Sequence, residues 1–143
     1  MSTERDEIIN KVRRTLESRS EVLEAYVFGS IGRDDPRADS DVDVAVYVDP
    51  LSPVPAYGHS AALGSELIGA LGRNDVDVVI LNRADPLLYF RVLRDGVRVL
   101  ARDLKASTVR EGRALSRYYD DLPRLDRVRR LTEERIDRGT FGR

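Results

Sequence analysis

The segment at residues 41–48, DVDVAVYV, alternates strictly between valines and other side chains. Because successive side chains of a β-strand point to opposite faces, this pattern predicts a strand with one all-valine face. Burial of that face fixes the register, since a shift by one residue would bury the other set instead. Asp41 and Asp43 therefore share the opposite face with Ala45 and Tyr47, and they lie side by side at the start of the strand.

A second segment, residues 75–81, repeats the arrangement, with Asp75 and Asp77 alternating with valines. If the two strands pair with their aspartate faces together, two or three carboxylates converge and repel one another. Such carboxylates either take up protons or bind a divalent cation, and oxygen-only ligands favour Mg²⁺ or Mn²⁺. Magnesium commonly completes its shell with water and substrate phosphates, so this pattern indicates a nucleotide site.

An Asp-x-Asp spacing alone is common in acidic strands, where the carboxylates simply keep a strand end in water. The preceding segment changes this interpretation. Residues 22–28 predict a strand that stops at Gly29-Ser30 and turns into a short helix, an arrangement that can hold a phosphate. Gly29 permits close backbone approach, and Ser30 and Arg33 add hydrogen-bond donors. Without the aspartates, Gly29-Ser30 would be interpreted as an ordinary turn with a helix cap.

The remaining elements follow from hydrophobic periodicity, caps and chain breakers. The sequence predicts a helix over 4–18, a helix containing Leu63 and Leu67 that closes near Gly72, a helix from Pro86 to Gly96, an edge strand over 97–101 and a helix from Leu104. Pro123 is expected to interrupt or restart the last helix, and the final residues RGTFGR are expected to fray.

Composition excludes several classes of protein. The chain has 143 residues, no cysteine and a single histidine, which excludes disulfide scaffolds, thiol catalysis and histidine-cluster metal sites. Twenty-four basic residues against 25 acidic ones give a net charge of −1, so strong nucleic-acid binding is not expected. No apolar segment approaches the length of a membrane span, and we expect a cytoplasmic protein. Neither a P-loop nor a Rossmann glycine motif is present.

Gly29-Ser30, ten intervening residues, Asp41-Val42-Asp43 and the later strand residue Asp77 together resemble the minimal nucleotidyltransferases of the DNA polymerase β superfamily. The continuation at 75–103 and the tail ERIDRGTFGR resemble the MntA-type adenylyltransferase antitoxins of HEPN–MNT toxin–antitoxin pairs. The resemblance implies an α/β fold with a small mixed, twisted sheet, in which the strands of Asp41 and Asp77 are adjacent. Helices back the sheet. On this basis we expect a nucleotidyltransferase domain at 1–103 and a helical extension of it at 104–143.

The resemblance also implies the roles of individual residues. Asp41 and Asp43 would ligate two catalytic Mg²⁺ ions, and Asp77 would complete the triad. Gly29 and Ser30, with Arg33, would hold the triphosphate of ATP. The chain departs from the common family motif G-S-R-A-R-G, because its loop is GSIGRD.

The same resemblance implies AMP transfer from ATP to a tyrosine of a HEPN-family toxin, which would neutralise that toxin. Two alternatives remain open from the sequence: transfer to a small hydroxyl compound such as an aminoglycoside, and neutralisation by binding alone. Oligomerisation is possible, because the chain offers little for a second lobe around a small acceptor. Residues 104–143 carry a net charge of +4, typical either of a solvated helix or of a face that docks an acceptor protein.

Overall fold

The computed structural model describes residues 3–32 and 41–137. The helices are α1 (Glu4–Glu17), α2 (Gly29–Gly32), α3 (Gly58–Leu71), α4 (Pro86–Asp95) and α5 (Leu104–Asp137), and a 3₁₀ turn spans Leu81–Arg83. The strands are β1 (Val22–Phe28), β2 (Val42–Val48), β3 (Val76–Ile80) and β4 (Val97–Ala101). Asp41 and Asp75 each lie one residue before the strand that the sequence assigned to them.

The four strands form one mixed sheet in the order β3-β2-β1-β4. β2 pairs antiparallel with β1 and parallel with β3, and β4 pairs antiparallel with β1 at the other edge. The expected α/β fold and the adjacency of the strands after Asp41 and Asp75 are therefore confirmed.

The valine face of β2 forms the centre of the main core. Its four valines are at most 2% exposed, and α1 and α3 cover them with apolar side chains one helical turn apart. The residues contributed by these helices are Ile8, Val12, Leu16, Leu63 and Leu67. This burial confirms the register predicted from the alternating sequence.

The opposite face of the sheet is covered by α4 and α5. A second apolar cluster joins Tyr26 of β1 and Ala45 of β2 to residues of these helices, including Tyr89, Val92 and Ala114. Asp85 caps α4 by accepting a hydrogen bond from the Leu87 amide, and Pro86 occupies the first turn. The beginning of α4 therefore lies at the position that the sequence predicted.

A buried carboxylate connects β1 to α5 on this second face. Glu24 has no solvent exposure and accepts hydrogen bonds from the hydroxyls of Tyr26 and Ser107 and, at 2.6 Å, from Nε of Arg110. The Tyr26 hydroxyl also lies 2.8 Å from Oε1 of Glu111, and its single proton can be donated to only one of the two carboxylates at a time. Burial, with the adjacent Glu24 carboxylate, raises the pKa of Tyr26, so its hydroxyl remains a donor. The network supplies the hydrogen bonds that a buried charge requires.

Pro123 does not interrupt α5, and the expectation of a break there is wrong. The helix runs continuously through this residue to Asp137. Proline removes one backbone donor, which leaves the Tyr119 carbonyl without its intrahelical partner. Because Tyr119, Leu122 and Pro123 are all exposed, water can pair with that carbonyl. The tail RGTFGR at 138–143 lies outside the described residues.

No helix in the described part of the chain is both long and apolar enough to cross a membrane.

Replacing Arg110 with methionine would leave the Glu24 carboxylate buried without its cationic partner. We expect this change to lower the free energy of unfolding by about 3–5 kcal/mol, measured by urea denaturation. Arg124→Met, which breaks the exposed pair with Asp121 on the same helix, should leave the stability nearly unchanged. Equal stability of the two variants would show that the Glu24 network does not hold α5 in place.

Candidate functional site

Asp43 and Asp77 occupy register-paired positions on neighbouring parallel strands. The pairing of β2 with β3 sets Val42 opposite Val76 and Asp43 opposite Asp77. Partners in a ladder project from the same face of the sheet, so the two carboxylates leave the sheet together, on the face opposite the valines. Asp43 is half-buried and Asp77 is exposed. The structure thus brings together one residue from each strand that the sequence selected.

Asp41 lies immediately before β2 and is exposed. The chain there is tied to β3, because the Val42 amide donates to the Asp75 carbonyl at 2.8 Å. Across residues 3–32 and 41–137, no three acidic, histidine or cysteine side chains are grouped closely enough to enclose a metal ion. The donor set of Asp41, Asp43 and Asp77 consists only of carboxylate oxygens, which suits Mg²⁺, a cation that usually keeps water and substrate phosphates in its shell.

Gly29 places the turn after β1 directly against Asp43. Its backbone adopts a left-handed conformation, with φ of +68°. A Cβ atom built at this position would overlap Oδ2 of Asp43 and lie 3.3 Å from its Cγ. Only glycine provides both the backbone conformation and the space. The turn after β1 therefore lies directly against the strand that carries Asp43.

The helical turn after Gly29 is held from the side by α1. Arg5 donates from Nε to the Ile31 carbonyl at 2.8 Å and from Nη2 to the Gly32 carbonyl at 3.2 Å. These carbonyls end α2, where a helix leaves its acceptors unpaired. Sequence patterns did not predict this positioning residue, because it lies more than two dozen residues away along the chain.

Ser30 lies within α2, as the sequence predicted for the turn after β1. Arg33 lies outside the described residues, so its assignment to nucleotide binding remains a prediction.

Arg73 is a second residue that the sequence analysis did not select. Its Nε and Nη2 each lie 2.5 Å from an Asp75 carboxylate oxygen. The hydrogen bonds from Arg73 lower the pKa of Asp75, and the guanidinium also interacts electrostatically with Asp41 and Glu4. Asp75 is thus ion-paired, and a cation lies near the acidic strand starts. The sequence signal was the Arg-x-Asp spacing before β3.

An α/β sheet with register-paired aspartates beside a glycine turn agrees with the arrangement that the resemblance to nucleotidyltransferases implies. Residues 10–105 match the family model described as polymerase beta nucleotidyltransferase. The chain therefore belongs to this family, and the resemblance identified from its motifs is confirmed. None of the curated proteins is similar enough in sequence to count as a match.

Solved structures that share the fold include three toxin–antitoxin complexes. One contains AMP-PNP and matches at 23% identity with a TM-score of 0.67, covering 84% of this chain and 97% of that one. Another is a tri-AMPylated HEPN toxin of Shewanella oneidensis in complex with MNT antitoxin, at 22% identity and a TM-score of 0.64, covering 87% and 98%. The third is MntA–HepT, at 22% identity and a TM-score of 0.62, covering 85% and 96%. These matches show a common fold.

Gly29→Ala tests the close approach to Asp43, and Gly72→Ala provides a matched control. Both glycines have nearly the same positive φ, but a Cβ at Gly72 meets no atom within 4 Å. Each change should cost roughly 1–2 kcal/mol for the left-handed backbone. Gly29→Ala should cost about 1–3 kcal/mol more, because the added methyl displaces the Asp43 carboxylate. Chemical denaturation measures both, and equal losses would contradict the predicted contact.

Proposed function

We propose that this protein transfers AMP from ATP to a hydroxyl group. The observation that carries the proposal is the pairing of Asp43 with Asp77 in the β2–β3 register, with Gly29 packed against the Asp43 carboxylate. Membership of the nucleotidyltransferase family supports the reaction class. Dependence on ATP is consistent with activity in the cytoplasm.

Asp41, Asp43 and Asp77 are the residues that would hold Mg²⁺, and two ions are our proposal. When bound, the metal would neutralise phosphate charge and lower the pKa of the acceptor hydroxyl. The chain itself provides the geometry: β2 and β3 fix the spacing of Asp43 and Asp77, and the Gly29-Ser30 turn lies beside them to receive phosphate oxygens. Asp77 is more exposed than its register partner Asp43, so of this pair it is the one accessible to an incoming acceptor. It would either receive the acceptor proton or hold a metal ion that makes that proton acidic.

The acceptor that we propose is a tyrosine of a HEPN-family toxin. Support comes from the shared fold with the MNT antitoxin complex whose HEPN toxin is tri-AMPylated, and with the complex that contains AMP-PNP. In a further complex of the same kind, two aspartates with one residue between them were replaced by glutamate. That spacing is the spacing of Asp41 and Asp43 here.

Asp41→Asn and Asp43→Asn should each abolish AMP transfer and Mg²⁺-dependent ATP binding. The fold should remain intact, because removing one of several neighbouring carboxylates relieves repulsion. Asp75→Asn is the matched control: it changes a nearby carboxylate that Arg73 already holds, and activity should stay within a few fold of the original. The assay incubates the protein with labelled ATP, Mg²⁺ and a co-expressed HEPN toxin, and mass spectrometry identifies the chain that gains AMP.

Activity of either variant close to that of the unmodified protein would refute the assignment of the site. Toxin neutralisation that persists in both variants, without any AMP on the toxin, would instead establish an antitoxin that acts by binding. Modification of an aminoglycoside but not of the toxin would establish a small-molecule acceptor.

Ser30→Ala distinguishes a phosphate ligand from a simple helix cap. If the Ser30 hydroxyl donates to a phosphate, its removal should weaken ATP binding by about 1.5–3 kcal/mol, measured by calorimetry, and leave the melting temperature unchanged without ligand. A cap would give the reverse, with about 1 kcal/mol of stability lost and unchanged affinity. The reverse pattern would remove Ser30 from the proposed site.

A further inference from the structure

A small cavity of about 160 Å³ lies between the end of β2, the beginning of α4 and the middle of α5. Its polar lining comes from Tyr47, Asn82, Tyr89, Arg110, Arg113 and Arg117. Pockets that enclose a whole drug-sized ligand are usually about 300–1,000 Å³, so this cavity has the size for one chemical group of a larger molecule.

The cavity opens on the same face of the sheet as the aspartates. Tyr47 follows Asp43 by four positions on β2, and residues an even number apart on a strand share a face. At about 3.3 Å per residue, the two positions are separated by about 13 Å along the strand. The fully buried Ala45 lies between these two positions on the same face of β2.

The Tyr89 hydroxyl is a buried polar group that has no partner in the described part of the chain. The residue is 5% exposed, and its hydroxyl is the one buried side-chain polar atom left without a hydrogen bond there. Asn82 does not pair with this hydroxyl, because its amide group already bonds the backbone of Val48. Its Oδ1 accepts from the Val48 amide at 2.9 Å, and its Nδ2 donates to the Val48 carbonyl at 2.7 Å. Burial and the Glu24 charge raise the pKa of Tyr89, which keeps the hydroxyl protonated. An unpaired buried hydroxyl is costly to stability, so its retention calls for an explanation.

The charge of the lining is positive. Arg110 is neutralised by Glu24, and its guanidinium lies 4.6 Å from the centre of the Tyr47 ring. Arg113 and Arg117 are exposed and one helical turn apart on the same face of α5. Within residues 3–32 and 41–137, neither of the two forms a close ion pair, although Arg117 interacts electrostatically with Asp121 one turn further along α5. Two like charges at this spacing repel, and a bound anion would remove the repulsion.

We infer that this cavity binds a phosphate group. Two guanidinium groups that form no close ion pair and a neutral hydroxyl offer more donors than the two oxygens of a carboxylate fully use, whereas a phosphate presents several acceptor oxygens around one centre. Because the cavity shares its face with the aspartates, the phosphate belongs to a nucleotide, either free or already attached to the acceptor. The assignment of the phosphate to a nucleotide rests on the proposed function, whereas the binding of an anion in the cavity does not.

Calorimetric titration of the full-length protein with AMP, in EDTA, measures this site without the metal-dependent one. We expect AMP and inorganic phosphate to bind and adenosine not to bind. Arg113→Gln combined with Arg117→Gln should weaken AMP binding about a hundredfold, and Tyr89→Phe about tenfold. Asp43→Asn should bind AMP as the original protein does, so that loss of the proposed catalytic site and loss of this site are observed separately.

Arg124→Gln combined with Arg129→Gln is the matched control, because it removes the same charge from the same helix outside the cavity. This control should retain AMP affinity, and circular dichroism should show that all variants are folded. The Tyr89→Phe variant should melt no earlier than the original, since the hydroxyl has no structural partner.

A second experiment shows whether the phosphate in the cavity belongs to a free nucleotide or to one already attached to the acceptor. The first and the second AMP added to an acceptor are counted by mass spectrometry. Loss of the second alone in the Arg113/Arg117 variant assigns the cavity to the attached nucleotide, and loss of both assigns it to the free one.

Three results would overturn the inference. The first is absence of AMP and phosphate binding to the original protein. The second is equal affinity in the Arg113/Arg117 variant and its control. The third is binding of a tetraglutamate peptide more tightly than AMP with the same arginine dependence, which would make the cavity a carboxylate site.

Discussion

Burial of the valine face of β2 is the constraint on which the positions of the polar groups depend. α1 and α3 exclude water from that face, so every alternate side chain of the strand must leave on the other side. Asp43 and Tyr47 therefore share one surface, and β3 adds Asp77 by pairing in parallel. A slip by one residue would move the carboxylates into the core, where an unpaired charge is costly. Apolar packing on the opposite side of the sheet therefore fixes the positions of the site residues.

A second constraint, which is electrostatic, acts on α5, which with α4 covers the aspartate face of the sheet. Glu24 is a buried anion, and Arg110 and Ser107 of α5 satisfy it. A buried carboxylate loses much more by separation from its partners than an exposed one, so the network fixes the rotation of α5 about its axis. Arg113 follows Arg110 by one turn, and its position above the sheet follows from that fixed rotation.

Patterns among neighbouring residues predicted those parts of the structure that depend on local interactions. The alternation at 41–48 predicted β2 and its buried face, and Gly29 predicted the end of β1 and the turn that follows it. The contacts of Arg5 and Glu24 could not be predicted this way, because their partners lie far along the chain and are chosen by packing of α1 and α5. A single glutamate within the apolar run of β1 was a usable signal, since a charge at such a position needs a partner. The pairing of Arg73 with Asp75 was within reach, because the two residues are close in sequence.

Although the backbone of α5 is continuous, Pro123 divides the helix into two parts that differ in stability. Helix formation is cooperative through successive hydrogen bonds, and proline removes one link of that ladder. The part after Pro123 is close to the ~12–15 residues below which an isolated helix is only marginally stable in water. Its amide hydrogens can therefore exchange with solvent through fraying from the C-terminal end, while those around the Glu24 contacts of the first half are better protected. The two parts of this continuous helix should therefore exchange their amide hydrogens at different rates.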